Sequence, residues 1–426
     1  MLELTILNPN NTIMNNIRLK KYILAIGSLL IFCSGLNAQD LYEDKYQWQI
    51  PGGKYVDPVS FFSLHGYVNA LYAGPSDQWS DGYFNGLGVP GQMNIPISNV
   101  SSFTQDAALW IGSELTEDVS VVIELHLHNT GTGHHREFEG VEDPSQVRAA
   151  VGLVITEANV RFKILKNYLA LSAGTFWSVF GIQNKDWLSA QNLFSTIPLA
   201  SGAYLTHYNE RGVRLDGYVN NGDWGMNYVF SVGNGYNTWD FEGYSHLDFN
   251  ENKTINTRIS VFPGLGDQLN VGLSYGTGLI FEQNRDAYPA ATERFYNSEF
   301  DAFGLDLTGN YAGLNVRSYF ITSNERFYND QENIKLPNTG LMAEISYDYD
   351  LDGKLGLKSI HPKFRFDRLD KSEFSEAESD VYTTVSAGLN LQIKENLVFS
   401  IDYNWIDEEK NTINNNRLVA RLAASF

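Results

Sequence analysis

The sequence predicts an all-β fold, a transmembrane antiparallel β-barrel of about 16 strands with short periplasmic turns and long external loops. Three observations carry this reading. Apolar and polar residues alternate along about 16 segments of roughly ten residues, and a period of two is the mark of a strand. The connections between those segments alternate short and long. The one long apolar run sits near the N-terminus, which excludes a bundle of membrane-spanning helices.

Composition narrows the partners. The chain has 426 residues, with 30 Lys+Arg against 50 Asp+Glu and a formal net charge of −20. So acidic a chain repels phosphate backbones, and a nucleic-acid partner is not expected. With 43% hydrophobic residues the chain is rich enough in apolar surface to fold.

The first element is an export signal over residues 1–38. Arg18, Lys20 and Lys21 precede an apolar stretch from Tyr22 to Cys33, and Ala38 supplies a small residue before Gln39. Met14 opens a more ordinary signal than Met1 does. Cleavage after Ala38 removes Cys33, the only cysteine, so no disulfide or thiol site is expected in the mature chain. Residues 39–60 read as a periplasmic N-terminal segment, far too short for a transporter plug. Residues 61–426 read as the barrel.

The strands centre near residues 67, 109, 123, 158, 170, 215, 229, 258, 272, 306, 318, 344, 364, 387, 401 and 421. Leu64, Gly66, Val68 and Ala70 form one face of the first; His65, Tyr67 and Asn69 form the other. Val121, Ile123 and Leu125 alternate with Val122, Glu124 and His126. Thr156, Ala158 and Val160 alternate with Ile155, Glu157 and Asn159. The short connections have turn compositions, as in Ala312-Gly313 and Lys394-Glu-Asn396. The long ones span about 8 to 35 residues. Short turns all at one end suit a membrane barrel, whose termini then lie on the periplasmic side. Tyr72, Trp110, Phe162, Trp224, Tyr275, Tyr311, Tyr347 and Trp405 fall near strand ends, as interfacial girdles would. Leu418, Ala420, Leu422, Ala424 and Phe426 share a face at the C-terminus. That ending resembles the signal read by the outer-membrane barrel-assembly machinery.

A barrel of this strand number leaves an aqueous channel. The polar face places nine basic residues in it: Arg161, Lys163, Arg214, Arg258, Arg317, Lys363, Arg365, Arg417 and Arg421. Ten acidic residues face them, among them Glu124, Glu157, Asp216, Asp306, Glu344, Asp348, Asp367 and Asp402. These charges either pair and hydrate the wall or guide anions, with Lys363, Arg365, Arg417 and Arg421 as the candidate row.

The third long loop, residues 175–210, differs from the rest. Phe176, Trp177, Phe180, Trp187, Leu193 and Phe194 are costly to expose, so the loop must pack on something. Folding inward would make Phe176, Trp177, Phe180, Asn184, Lys185, Asp186 and Trp187 a constriction. Capping the mouth or packing on a neighbouring subunit are the alternatives.

The stretch Gly174-Thr-Phe-Trp-Ser-Val-Phe-Gly-Ile-Gln-Asn184, followed by Arg211-Gly-Val-Arg-Leu-Asp-Gly217, resembles Gram-negative outer-membrane porins of the phosphate-selective (O and P) group and related families. The resemblance covers the length and rhythm of the mature chain. It implies 16 strands, a homotrimer and a third loop folded inward. The arginine-rich inward loop of that group is missing, since Lys185 is the only Lys or Arg in residues 175–210.

Enzymatic and metal signals are thin. His126, His128, His134 and His135 lack a supporting carboxylate pattern, and His207 beside Glu210 lacks a nucleophile motif. The expectation is therefore a porin of the cell outer membrane, with no reaction and no cofactor, passing small hydrophilic or ionic solutes by diffusion. Its partners are outer-membrane lipid, two further copies of itself and the assembly machinery through Phe426. The alternative is a barrel with an occluded lumen acting as an adhesin or structural protein.

Overall fold

The structure, a computed structural model, describes residues 63–79, 96–129, 151–165, 168–182, 192–204, 209–221, 224–235, 253–263, 269–282, 297–328, 333–351, 356–372, 380–409 and 416–426. Its strands are β1 (Ser63–Trp79), β2 (Pro96–Thr116), β3 (Val119–Asn129), β4 (Val151–Leu165), β5 (Leu169–Trp177), β6 (Asn209–Asn221), β7 (Trp224–Gly233), β8 (Thr254–Phe262) and β9 (Leu269–Glu282). They continue as β10 (Asn297–Tyr311), β11 (Leu314–Tyr328), β12 (Asn333–Tyr347), β13 (Tyr349–Asp350), β14 (Ser359–Lys371), β15 (Asp380–Lys394), β16 (Leu397–Glu408) and β17 (Arg417–Ser425). β12 and β13 both pair with β14 and are one stave interrupted at Asp348. Every stave pairs antiparallel with its chain neighbours. β1 pairs with β17 from Tyr67↔Ser425 to Ala73↔Val419, so the 16 staves form a closed barrel. All 16 expected centres fall within these strands.

Closure removes the sheet edge and satisfies the backbone without water. The faces are sorted oppositely to a soluble core. Leu64, Val68, Ile123, Leu273, Leu305, Phe364 and Leu422 are exposed on the outside. An apolar surface this continuous does not face water in a soluble monomer. Tyr168, Tyr311, Tyr347 and Tyr349 ring the short-turn end, and Tyr275, Phe303, Tyr403 and Trp405 lie towards the long-loop end. Trp110 departs from the expected girdle: it is buried on the inner face, 5.8 Å from the Tyr67 ring centroid.

Two further departures have local causes. A β-bulge between β3 and β4 pairs Glu124 with Glu157 but Leu125 with Ile155. The extra residue shifts the parity of β4, so Ile155 points out and Thr156 joins Glu157 inside. At the long-loop end β11 and β12 stay paired up to Tyr328↔Asn333, leaving four residues between them rather than at least eight. Outward Arg326 there pairs with Glu299 and Asp301 of β10, which offsets the like charge of Lys335 opposite it.

The outer face gives a depth test. Leu305→Lys, in the middle of the apolar band, should destabilise the lipid-embedded barrel by about 2–4 kcal/mol, and Tyr311→Lys at its rim by about 0–1 kcal/mol. Denaturant titration in vesicles reads both. Equal costs at the two sites would refute the placement of the band.

Candidate functional site

The inner face is where charge and the third long loop meet. β5 carries the chain inward at its end. Gly174 has a φ of 132°, and a Cβ there would overlap the Ala158 carbonyl, so glycine is required for this approach of β5 to β4. Beyond it Phe176 is fully buried beneath the Arg214 guanidinium, 5.3 Å from its ring centroid. Trp177 donates its indole N–H to Glu124 at 2.8 Å.

The described loop residues lie against the inner wall. The rings of Phe180 and Tyr204 pack tilted with centroids 4.4 Å apart, and Tyr204 meets Phe300 at 5.3 Å. With Ile182, Ala200, Ala203, Ile321, Met342 and Leu369 they form an apolar cluster inside the barrel. Burying these side chains contributes roughly 1.5–3 kcal/mol for each large one, which drives the segment inward.

An irregular segment must also satisfy its backbone polar groups. The wall does this with charged groups of both signs. Lys363 Nζ donates to the Leu193 carbonyl at 2.6 Å, and Arg365 donates to the Thr196 carbonyl at 2.8 Å and hydroxyl at 2.7 Å. Arg421 donates to the Asn192 carbonyl at 3.1 Å. Asp402 accepts from the Ser195 N–H at 2.8 Å, while Asp367 accepts from Leu199 N–H at 3.1 Å and Ala200 N–H at 2.8 Å. The Phe194 ring lies against both cations, 4.7 Å from Lys363 Nζ and 4.6 Å from Arg365 Cζ. Lys363 and Asp402 pair at 2.7 Å with no side-chain exposure. Gly340 completes the dock, since a Cβ there would overlap the Ala200 carbonyl.

Four of the other predicted basic residues are paired along the wall. Arg161 and Arg214 both bind Asp216, at 2.5 and 3.2 Å. Arg258 pairs with Asp306 at 2.6 Å. Arg317 lies 3.9 Å from Glu344 and donates to the Ile182 carbonyl at 3.3 Å. Lys163 stands near the short-turn end of β4, and Arg417 shares the inner face of β17 with Arg421. Asp348 is exposed at the stave break, bonded to His361 at 2.5 Å. Asn184, Lys185, Asp186 and Trp187 lie outside the described residues.

The structure thus gathers Lys363, Arg365 and Arg421 as the anion-guiding row would require, but turns their donors onto the loop. The sequence marks Leu193 and Phe194 for burial but does not single out residues 192–204 as the docking half of the loop. Their signal, an apolar stretch amid charged loops, predicts burial but not the partners. Small inward side chains such as Asn69, Ser172, Ser231, Asn256, Ser274 and Ser386 are buried, whereas inward Arg161, Arg214, Asp216 and Arg317 keep partial exposure.

No protein-family model matches the chain, and no curated protein matches its sequence. Solved structures share its fold. The outer-membrane channel DcaP of Acinetobacter baumannii is similar with a TM-score of 0.54 at 10% identity, covering 86% of this chain and 97% of that one. Salmonella typhi OmpF, in a complex with daunomycin, gives 0.51 at 10% identity with the same coverage, 86% and 97%. The outer-membrane expressed OmpT of Vibrio cholerae gives 0.50 at 8% identity, again covering 86% and 97%.

Proposed function

We propose that the chain is an outer-membrane porin of a Gram-negative bacterium, allowing passive diffusion of small hydrophilic or ionic solutes through a lumen narrowed by residues 175–210. The carrying observation is the loop docked on Lys363, Arg365, Arg421, Asp367 and Asp402 inside a closed barrel of 16 staves. Because the wall cations already bind loop carbonyls or carboxylates, selectivity between anions and cations is weak. This separates the chain from the phosphate-selective group its sequence resembles, while leaving it a porin of a related kind.

The same reading includes a cleaved export signal over residues 1–38, a homotrimer in the membrane, and no reaction or cofactor. Phe426 supports delivery to the assembly machinery: its backbone closes onto Gly66 through two hydrogen bonds, at 2.9 and 3.0 Å, and its ring is exposed. The apolar cluster that the loop forms inside the barrel also favours an occluded lumen, and solute entry decides between the two. Liposomes carrying the folded protein should swell in small sugars and fail to swell in larger oligosaccharides. Failure to swell in every solute would favour the occluded adhesin or structural protein.

A further inference from the structure

The outer face of β14, β15 and β16 is patterned in a way that the loop dock does not require. Cross-strand register sets Phe364, Ala387 and Tyr403 in one row and Phe366, Val385 and Trp405 in the next. These six flank the buried, inward Arg365, Ser386 and Asn404, so they point outward. Phe364, Tyr403 and Trp405 are exposed, and the rings of the last two meet edge-on at 4.6 Å. Strands two apart lie about 10 Å from each other. The aromatics of β14 and β16 are therefore two ridges, with the smaller β15 side chains as the floor between them. A groove of that width takes one hydrocarbon chain.

Charge is ordered above the groove. The next row is Arg368, Thr383 and Asp407, and beyond it Asp370 and Glu409 stand on either side of Val381. Arg368, Asp370 and Asp407 are exposed, and their side chains form no ion pair or hydrogen bond among the described residues. Outward Arg326, by contrast, is committed to Glu299 and Asp301. Arg368 lies eight residues up β14 from Ile360, which pairs with Tyr349 at the short-turn rim. At about 3.4 Å per residue and a tilt of about 40°, that is about 21 Å of height, near the top of an apolar band about 25 Å tall. An uncommitted cation thus sits where lipid headgroups begin, with carboxylates beside and beyond it.

We propose that this face seats one phosphoethanolamine lipid of the outer leaflet. An acyl chain lies over Ala387 and Val385, the phosphate binds Arg368, and the ammonium meets Asp370 and Asp407. Outward from the membrane centre, chain, phosphate and ammonium follow the same order as groove, guanidinium and carboxylates. Arginine suits the phosphate because its planar fork offers two parallel N–H donors. A lipid bearing phosphate alone brings its negative charge towards Asp370 and Asp407 with no cation to meet them, and is held less well. The inference rests on the barrel lying in the outer membrane with its long loops outside, and not on conduction.

Native mass spectrometry of the full-length barrel in mild detergent reads retained lipid directly. The probes are dimyristoyl phosphatidylethanolamine and dimyristoyl phosphatidylglycerol. The wild type should retain the first in preference to the second. Arg368→Gln should lower retention of phosphatidylethanolamine by roughly tenfold, the worth of a hydrogen bond to a charged group. Asp370→Asn combined with Asp407→Asn should erase the preference while leaving Arg368 its phosphate. Ala387→Trp raises the floor and should displace the chain, with heat-modifiable electrophoretic mobility reporting that each variant is folded. Equal retention by wild type and Arg368→Gln would overturn the seat, and equal retention of the two lipids by the wild type would overturn the headgroup assignment. Orientation is read separately: protease added to intact cells should cut a long loop. Cutting only after lysis would overturn the membrane reading beneath the proposal, and the proposal with it.

Discussion

Deleting residues 184–196 should raise single-channel conductance severalfold while leaving the barrel closed. No stave takes its pairing from this segment. The ends to be rejoined are near one another: Ile182 is held by Arg317 on β11, and Ala200 packs against Gly340 on the adjacent β12. Residues 199–204 keep their own contacts to Asp367, Ser323 and Asn256. The deletion strips the loop carbonyls from Lys363, Arg365 and Arg421, which then face the lumen. Zero-current potentials in a salt gradient should therefore move towards anion preference, most at low ionic strength where screening is weakest. If the segment instead sealed a contact between subunits, the deletion would break the oligomer and leave the conductance per barrel unchanged.

Lys363→Met should destabilise the folded barrel by about 3–5 kcal/mol, the cost of leaving one member of a buried ion pair alone. Asp402 is then buried without its cation, and the Leu193 carbonyl and Asn390 lose their donor. Adding Asp402→Asn should recover much of the loss, because an amide oxygen still accepts from the Ser195 N–H. Denaturant titration of the two variants in lipid measures both steps. A cost below about 1 kcal/mol, the range of exposed pairs, would mean that water reaches this pair.

The barrel was legible in the sequence because alternation is a direct physical consequence of a sheet with lipid on one side and polar groups on the other. Ile123 and Glu124 are adjacent, and each goes where its chemistry demands. Alternation fails where the backbone inserts a residue: nothing in Ile155–Glu157 announces the bulge that turns Thr156 inward. Trp110 misleads for another reason, since a large aromatic suits either an interface or a filled lumen. Of the candidate site, a polar-face position for nine basic residues could be assigned from parity alone. Their partners could not, because Arg365 meets Thr196 and Arg421 meets Asn192 across separations of 169 and 229 residues. Only the closed barrel brings those positions together.

The most direct measurement is single-channel conductance of the wild-type protein in planar lipid bilayers. Discrete, ohmic conductance steps, small for a barrel of this strand number and with little preference between anion and cation, are predicted. A correctly folded, membrane-inserted barrel giving no conductance step at any voltage would contradict the account.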